Sequence, residues 1–132
     1  MLYQREIKIN QYGKPFILTY KYAEGICDKL LHQNNQKNQK EKKIYQISNY
    51  YMIGDNPSSD IQGANNAGWT SILVKTGIFK GKDNSEEFPA KFVCPTIKEA
   101  LEYIFKVENI HWKLAKQVKR NNFSERKSRW FE

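Results

Sequence analysis

Two carboxylates, Asp55 and Asp60, stand five positions apart in Ile53-Gly54-Asp55-Asn56-Pro57-Ser58-Ser59-Asp60-Ile61-Gln62-Gly63-Ala64. On a tight strand-to-helix loop both can face the same edge of a sheet, and hard oxygen donors of this kind suit Mg2+. That ion keeps several waters and takes only one or two protein carboxylates, leaving the rest of its shell to substrate phosphate. Spacing alone leaves a plainer use open, in which Asp55 starts a turn and Asp60 caps a helix. The longer pattern favours the metal, because Gly54, Gly63, Gly68 and Gly77 punctuate the stretch and it continues into Ala67-Gly68-Trp69-Thr70 and Val74-Lys75-Thr76-Gly77. Other chemistries find no support. The P-loop, the dinucleotide-binding glycine fingerprint and the G-x-S-x-G elbow are all missing from the sequence. His32 and His111 have no plausible catalytic neighbour, and Cys27 and Cys94 form neither a C-x-x-C pair nor a zinc pattern.

The elements needed to position Asp55 and Asp60 are legible on both sides of them. Tyr50-Tyr51-Met52-Ile53-Gly54 is a short apolar run ending at glycine, so a strand stops where the turn formers begin. Residues 60–68 suit a short helix with Ser59 or Asp60 as its cap and Gly68 as its stop. Trp69-Thr70-Ser71-Ile72-Leu73-Val74 predicts a second buried strand, and Lys91-Phe92-Val93-Cys94 a third. A helix over about 96–107 follows, with Ile97, Ala100, Leu101, Ile104 and Phe105 as its apolar stripe. Upstream, Ile17, Tyr20, Ala23 or Cys27, and Leu30 or Leu31 fall on one stripe of a helix over about 15–31, which Pro15 suits as a first turn. Strands alternating with such helices imply an α/β fold of about three parallel strands with helices packed on it. Functional sites in such sheets lie at the carboxyl ends of the strands, where Asp55 and Gly77 fall.

Composition bounds the rest. The chain has 132 residues, 39% hydrophobic and 14% aromatic, enough for one domain and too aromatic for wholesale disorder. No apolar run approaches the ~20 residues that span a bilayer, so no membrane partner is expected. The net charge of +8 is uneven: residues 44–105 carry five basic and seven acidic groups, whereas the polar stretch 32–43 and the end of the chain hold the basic excess. The stretch 32–43 has no apolar residue and reads as a solvated low-complexity insert. Beyond it, Lys113, Lys116, Lys119, Arg120, Arg126, Lys127 and Arg129 interleave with Trp112, Phe123 and Trp130. Such a tail can bind single-stranded RNA, but no recognition motif accompanies it, and a solvated face explains it more simply.

At this level of detail the chain resembles a known family. Gly54-Asp55 with Asp60, the Ala/Gly-rich helix and the Thr-x-x-x-Val-x-Thr-Gly strand end are similar to motif four of the haloacid dehalogenase (HAD) superfamily, nearest to its class IIA phosphatases of the 4-nitrophenylphosphatase and phosphoglycolate phosphatase type. Gly13-Lys14-Pro15 with Leu18-Thr19-Tyr20 and Tyr22-Ala23-Glu24 resembles motif three, in wording close to the eukaryotic hydrolase domain-containing 5, or cat eye syndrome candidate 5, branch. The resemblance covers about residues 10–106 outside the insert. It implies a Rossmann-like core and a Mg2+-dependent phosphohydrolase acting through an aspartyl-phosphate on a small phosphorylated substrate. Lys14 matches the catalytic lysine that binds phosphate and the nucleophile's carboxylate, Asp55 the direct Mg2+ ligand, and Asp60 the second acid that completes or orients the metal shell. Asn56 is a further phosphate-binding candidate whose amide has an alternative use in holding the loop.

The family's nucleophile lies in an Asp-x-Asp motif on the central strand, and this sequence contains none. Lys14 comes so early that the nucleophile strand, motif two and the cap are expected upstream of Met1. Residues 1–107 then form the C-terminal half of the core, interrupted at 32–43, and 108–132 a basic tail. Such a chain is expected to be inactive alone and to expose Tyr51-Met52-Ile53 as an unpaired edge open to association. A non-catalytic binding or assembly module is the alternative, although packing alone does not demand Lys14, Asp55 and Asp60 together. Compartment stays open between cytoplasmic and mitochondrial.

Overall fold

The computed structural model describes residues 9–37 and 44–110. In chain order these form α1 (Ile17–Lys37), β1 (Tyr51–Gly54), a single π-helical turn (Pro57–Ile61) that runs into α2 (Gln62–Ala67), β2 (Thr70–Val74), β3 (Phe92–Cys94) and α3 (Ile97–Val107). The three strands make one parallel sheet in the order β1-β2-β3, with Ile53 opposite Ile72 and Leu73 opposite Val93. This is the expected α/β arrangement. β1 is an edge strand among the described residues, paired on one side only.

Central β2 shows why the sheet needs a layer on each face. Side chains alternate across a strand, so Ile72 and Val74 point one way and pack with Cys94, Ala100, Tyr51, Ile53, Tyr103 and Ile104, while Leu73 points the other way and packs with Ile61, Ala90, Phe79 and Val93. Ser71 is a fully buried polar residue on β2, tolerated because its hydroxyl donates to Asn65 Oδ1 (2.7 Å) and accepts from the Lys91 amide (3.1 Å). It ties α2 and the approach to β3 onto the middle strand. Gly68 ends α2 in the left-handed conformation (φ 77°) that glycine adopts without a Cβ penalty.

Three local expectations need correction. α1 continues to Lys37, six residues into the stretch read as an insert, because His32–Lys37 contains no glycine or proline to stop it. Asn35 in that extension accepts from the Tyr45 amide (3.0 Å) and donates to the Tyr45 carbonyl (2.9 Å), anchoring it without a core. On α1, Tyr20 is buried and Leu31 half-buried, but Ile17 and Leu30 are exposed. Leu18, Tyr22, Ile26 and Leu30, four residues apart, instead form a stripe facing away from the core, all exposed. On α3 the packed residues are Ala100, Tyr103 and Ile104, with the Tyr103 ring 4.2 Å from Phe92, whereas Ile97 and Leu101 are exposed. The remainder of the polar stretch (38–43) and the basic residues from 111 to 132 lie outside the described residues. Among those described, no helix is long and apolar enough to cross a membrane.

The start of α3 carries a full capping box, in which the Thr96 side chain accepts from the Glu99 amide and the Thr96 amide donates to Glu99 Oε2 (3.0 Å); the Thr96 side chain also accepts from the Lys98 amide (3.1 Å). The hydrogen bond from the Thr96 side chain is the main cause holding the Glu99 carboxyl below its ordinary range. Thr96→Ala is therefore expected to cost about 1 kcal/mol in urea unfolding at neutral pH. Because the folded-state value of Glu99 is depressed, its contribution is full above the ordinary carboxyl value and is lost as pH falls through the folded one. The stability gap between the parent and Glu99→Gln should accordingly close on acidification.

Candidate functional site

β1 ends on Gly54 and the chain enters a turn whose anchor is Asn56. Its Oδ1 accepts from the Ser58 amide (3.1 Å) and hydroxyl (3.0 Å), and its carbonyl accepts from the amides of Ser59 (3.4 Å), Asp60 (2.8 Å) and Ile61 (3.3 Å). Pro57, with no amide hydrogen to lose, takes the first helical position. The cap is thus Asn56, not Ser59 or Asp60, because a π-helical turn precedes α2 and moves the start of the helical segment back. Asp60, released from capping, turns its carboxylate inward.

That carboxylate is 5% exposed and both its oxygens have partners. Oδ2 accepts from the Asn56 amide at 3.1 Å, and Oδ1 accepts from Lys14 Nζ at 2.5 Å, across 46 positions of sequence. Lys14 is brought there by a tight turn at the head of α1, where Gly13 adopts φ 100°, its carbonyl accepts from the Phe16 amide (2.9 Å) and its amide donates to Thr19 Oγ1 (2.8 Å). The Lys14 side chain is 49% exposed, so solvent screens the ion pair and its contribution to stability is small, and an anion can reach the side chain.

Asp55 takes its partner from a different loop. Its Oδ2 accepts from the Ile78 amide at 2.8 Å, where the segment after β2 passes over the end of β1. Two glycines permit these approaches: a Cβ on Gly77 would lie 1.8 Å from Asp55 Oδ2, and one on Gly54 would lie 2.3 Å from the Asp60 Cβ. Sequence spacing marked both glycines without revealing what they make room for. The Ile78 amide carried no sequence signal at all, since any residue but proline supplies one.

Tyr20, expected only as an apolar stripe residue, also reaches this turn. Its hydroxyl donates to the Asp60 carbonyl (3.2 Å) and approaches the Ser59 carbonyl (3.4 Å). Burial, and then the charge of Asp60, pushes the Tyr20 hydroxyl above its ordinary value, so it stays protonated and donating.

The structure therefore brings Lys14, Asp55, Asn56 and Asp60 to the carboxyl edge of the sheet from two segments, with the Ile78 amide added by a third. Asp55 Oδ1 accepts no hydrogen bond from the described residues, and no group of three metal-ligating side chains gathers among them. A donor set of one open carboxylate oxygen beside a second, restrained carboxylate fits a hydrated Mg2+ better than an ion that needs a closed protein cage. Asn56 Oδ1 is engaged in the turn, so its side chain here holds the loop.

The family model described as HAD-hydrolase-like matches residues 11–100. A cardiolipin synthase (CMP-forming)/mitochondrial hydrolase fusion protein of Schizosaccharomyces pombe is 43% identical over 114 residues, covering 86% of this chain and 16% of the relative. A mitochondrial hydrolase of Saccharomyces cerevisiae is 33% identical over 100 residues, covering 67% of the chain and 28% of the relative. The bovine haloacid dehalogenase-like hydrolase domain-containing protein 2 is 41% identical over 54 residues, covering 40% of the chain and 21% of the relative. The chain thus spans well under a third of the length of each of these relatives.

Proposed function

Since the chain belongs to the HAD-like hydrolase family, we propose that it is the metal- and phosphate-binding part of a Mg2+-dependent phosphomonoester hydrolase of the class IIA type, with its aspartate nucleophile on a further polypeptide segment. The observation that carries this is the Lys14–Asp60 pair beside Asp55, assembled at the carboxyl edge of the sheet from segments 46 residues apart. Lys14, its side chain half-exposed, presents its ammonium to the phosphoryl oxygens while Asp60 fixes where that ammonium sits. Asp55, held by the Ile78 amide through one oxygen, keeps the other for the cation. When bound, Mg2+ supplies positive charge against the phosphoryl oxygens and orients them. The nucleophile's carboxylate attacks phosphorus as the P–O bond to the leaving alcohol breaks, and water then hydrolyses the aspartyl-phosphate.

The need for a further segment rests on the missing Asp-x-Asp and is supported by surfaces prepared for more chain. Among the described residues, β1 has a neighbour on one side only, and Leu18, Tyr22, Ile26 and Leu30 present an exposed apolar stripe on α1. A completing strand at the β1 edge would satisfy its backbone groups. The hydrolase names of the yeast relatives favour an enzyme over a non-catalytic module.

Thermal unfolding with and without Mg2+ tests the metal, and 4-nitrophenyl phosphate tests the chemistry. Mg2+ at ten times its Kd is expected to stabilise the chain by about 1.4 kcal/mol, an effect lost in Asp55→Asn. The chain alone should not turn over the substrate, and an added segment bearing an Asp-x-Asp nucleophile should restore turnover. Melting curves that ignore Mg2+ would favour the non-catalytic module, and turnover by the chain alone that vanishes in Asp55→Asn would refute the need for a second segment.

A further inference from the structure

Asp60 is held twice from a single stretch of chain. Lys14 takes its carboxylate, and Tyr20, six residues later at the head of α1, takes its main-chain carbonyl. Tyr20 is only 3% exposed, and its ring meets Trp69 edge-on at 5.1 Å and 86°. Trp69 is in turn stacked on Tyr50 at 4.9 Å and donates through Nε1 to Glu24 Oε1 at 2.8 Å. Lys21, with Trp69 assisting, holds the Glu24 carboxyl below its ordinary range, so this acceptor stays charged. The ring is therefore fixed from behind, and the hydroxyl has one place to go. Gly63 keeps that place open, because a Cβ there would lie 2.4 Å from the hydroxyl oxygen.

Packing alone does not require this arrangement. Phenylalanine would fill the same space against Trp69, and only the hydroxyl reaches the carbonyls. Those carbonyls belong to a π-helical turn, a rare geometry that appears mostly as a single turn within a helix. Changing the pitch of this turn would rotate Asp60 about the helix axis and swing its carboxylate away from Lys14 and the Asn56 amide. We infer that Tyr20 is a positioning residue: its buried hydroxyl, donating to the carbonyl of Asp60, holds the turn in the pitch that aims the Asp60 carboxylate at Lys14. Its importance for Mg2+ rests on the function proposed above, whereas its effect on Asp60 does not.

The test is Tyr20→Phe in the full chain, read by amide hydrogen exchange and by binding of Mn2+ as a probe for Mg2+. The Asn56 amide donates to Asp60 Oδ2, so its exchange reports where the carboxylate points without any metal. Loss of one neutral hydrogen bond should speed exchange at Asn56 by about five- to tenfold, while amides of Ile72 and Leu73 in β2 keep their rates. Mn2+ affinity should fall by a similar factor. An unchanged Asn56 rate overturns the inference, as does acceleration shared equally by β2, which would mark Tyr20 as a general stability residue. If Asn56 alone accelerates and the parent binds no Mn2+, the positioning role stands and the metal reading falls.

Discussion

Gly77→Ala is expected to weaken divalent-cation binding by more than about tenfold, the cost of disturbing the groups that orient a metal ligand, with only a modest loss of stability. The added Cβ would lie 1.8 Å from Asp55 Oδ2 and 2.3 Å from its Cγ. No such contact survives, so the Asp55 side chain must rotate, and rotation breaks its hydrogen bond to the Ile78 amide. Rotation does not relieve the contact with the Asp55 Cβ, 2.5 Å away, so the half-buried loop carrying Gly77 must also shift, but the three nearest atoms all belong to Asp55 and none to the core clusters. Gly77 does not have a positive φ. Alanine there also restricts the unfolded chain, an effect that can return about 0.4–1 kcal/mol and offset the local strain. Calorimetric titration of Mn2+ alongside a thermal melt gives both readings. Affinity equal to that of the parent would show that Asp55 is not placed as described.

Gly54→Ala should behave in the opposite way and lower stability by about 3 kcal/mol, which corresponds to a drop in Tm of roughly 10–20 °C for a domain of this size. Its Cβ would lie 2.3 Å from the Asp60 Cβ and 2.4 Å from Oδ2. A Cβ cannot swing aside as a carboxylate can, because it is bonded to the main chain, and that main chain is held by Tyr20 and by the Asn56 carbonyl. Relief therefore requires the π-helical turn to lift from β1, taking Ile61 out of the cluster it forms with Leu73 and Ala90. Urea unfolding and calorimetry measure the loss. A Tm within a few degrees of the parent would mean that the turn is softer than its hydrogen bonds imply. The two alanines thus separate the site from the scaffold: one acts chiefly on Asp55, the proposed metal ligand, and the loop over it, the other on the packing beneath.

Much of the scaffold was readable from local pattern. All three strands and α3 lie within a residue or two of where turn formers and apolar runs put them, because each is short and bounded by Gly, Pro or Asn. The faces of the helices were less readable. Ile17, Leu30, Ile97 and Leu101 share the period of buried residues but are exposed in the described fold, since periodicity says that a stripe exists and not how wide the neighbouring layer is. The extension of α1 to Lys37 leaves no mark in the apolar pattern for a related reason: polar residues without a breaker can stay helical with no core to bury.

The residue types at the site, their order along the chain and the family they belong to were all determined by the sequence itself. Asp55, Asp60 and Lys14 were named from it, and the glycines between and beyond the carboxylates were marked as necessary. Only the tertiary structure decided how these residues are used. It paired Lys14 with Asp60, gave the cap to Asn56, set the Ile78 amide on Asp55 and made Tyr20 a hydrogen-bond donor to the turn. Three of these contacts join residues between 23 and 46 positions apart, and two of them use backbone groups, an amide that every residue but proline offers and a carbonyl that every residue offers. Local pattern therefore carries no trace of them, and they exist only once the sheet has brought the ends of β1 and β2 together and α1 has docked beside α2.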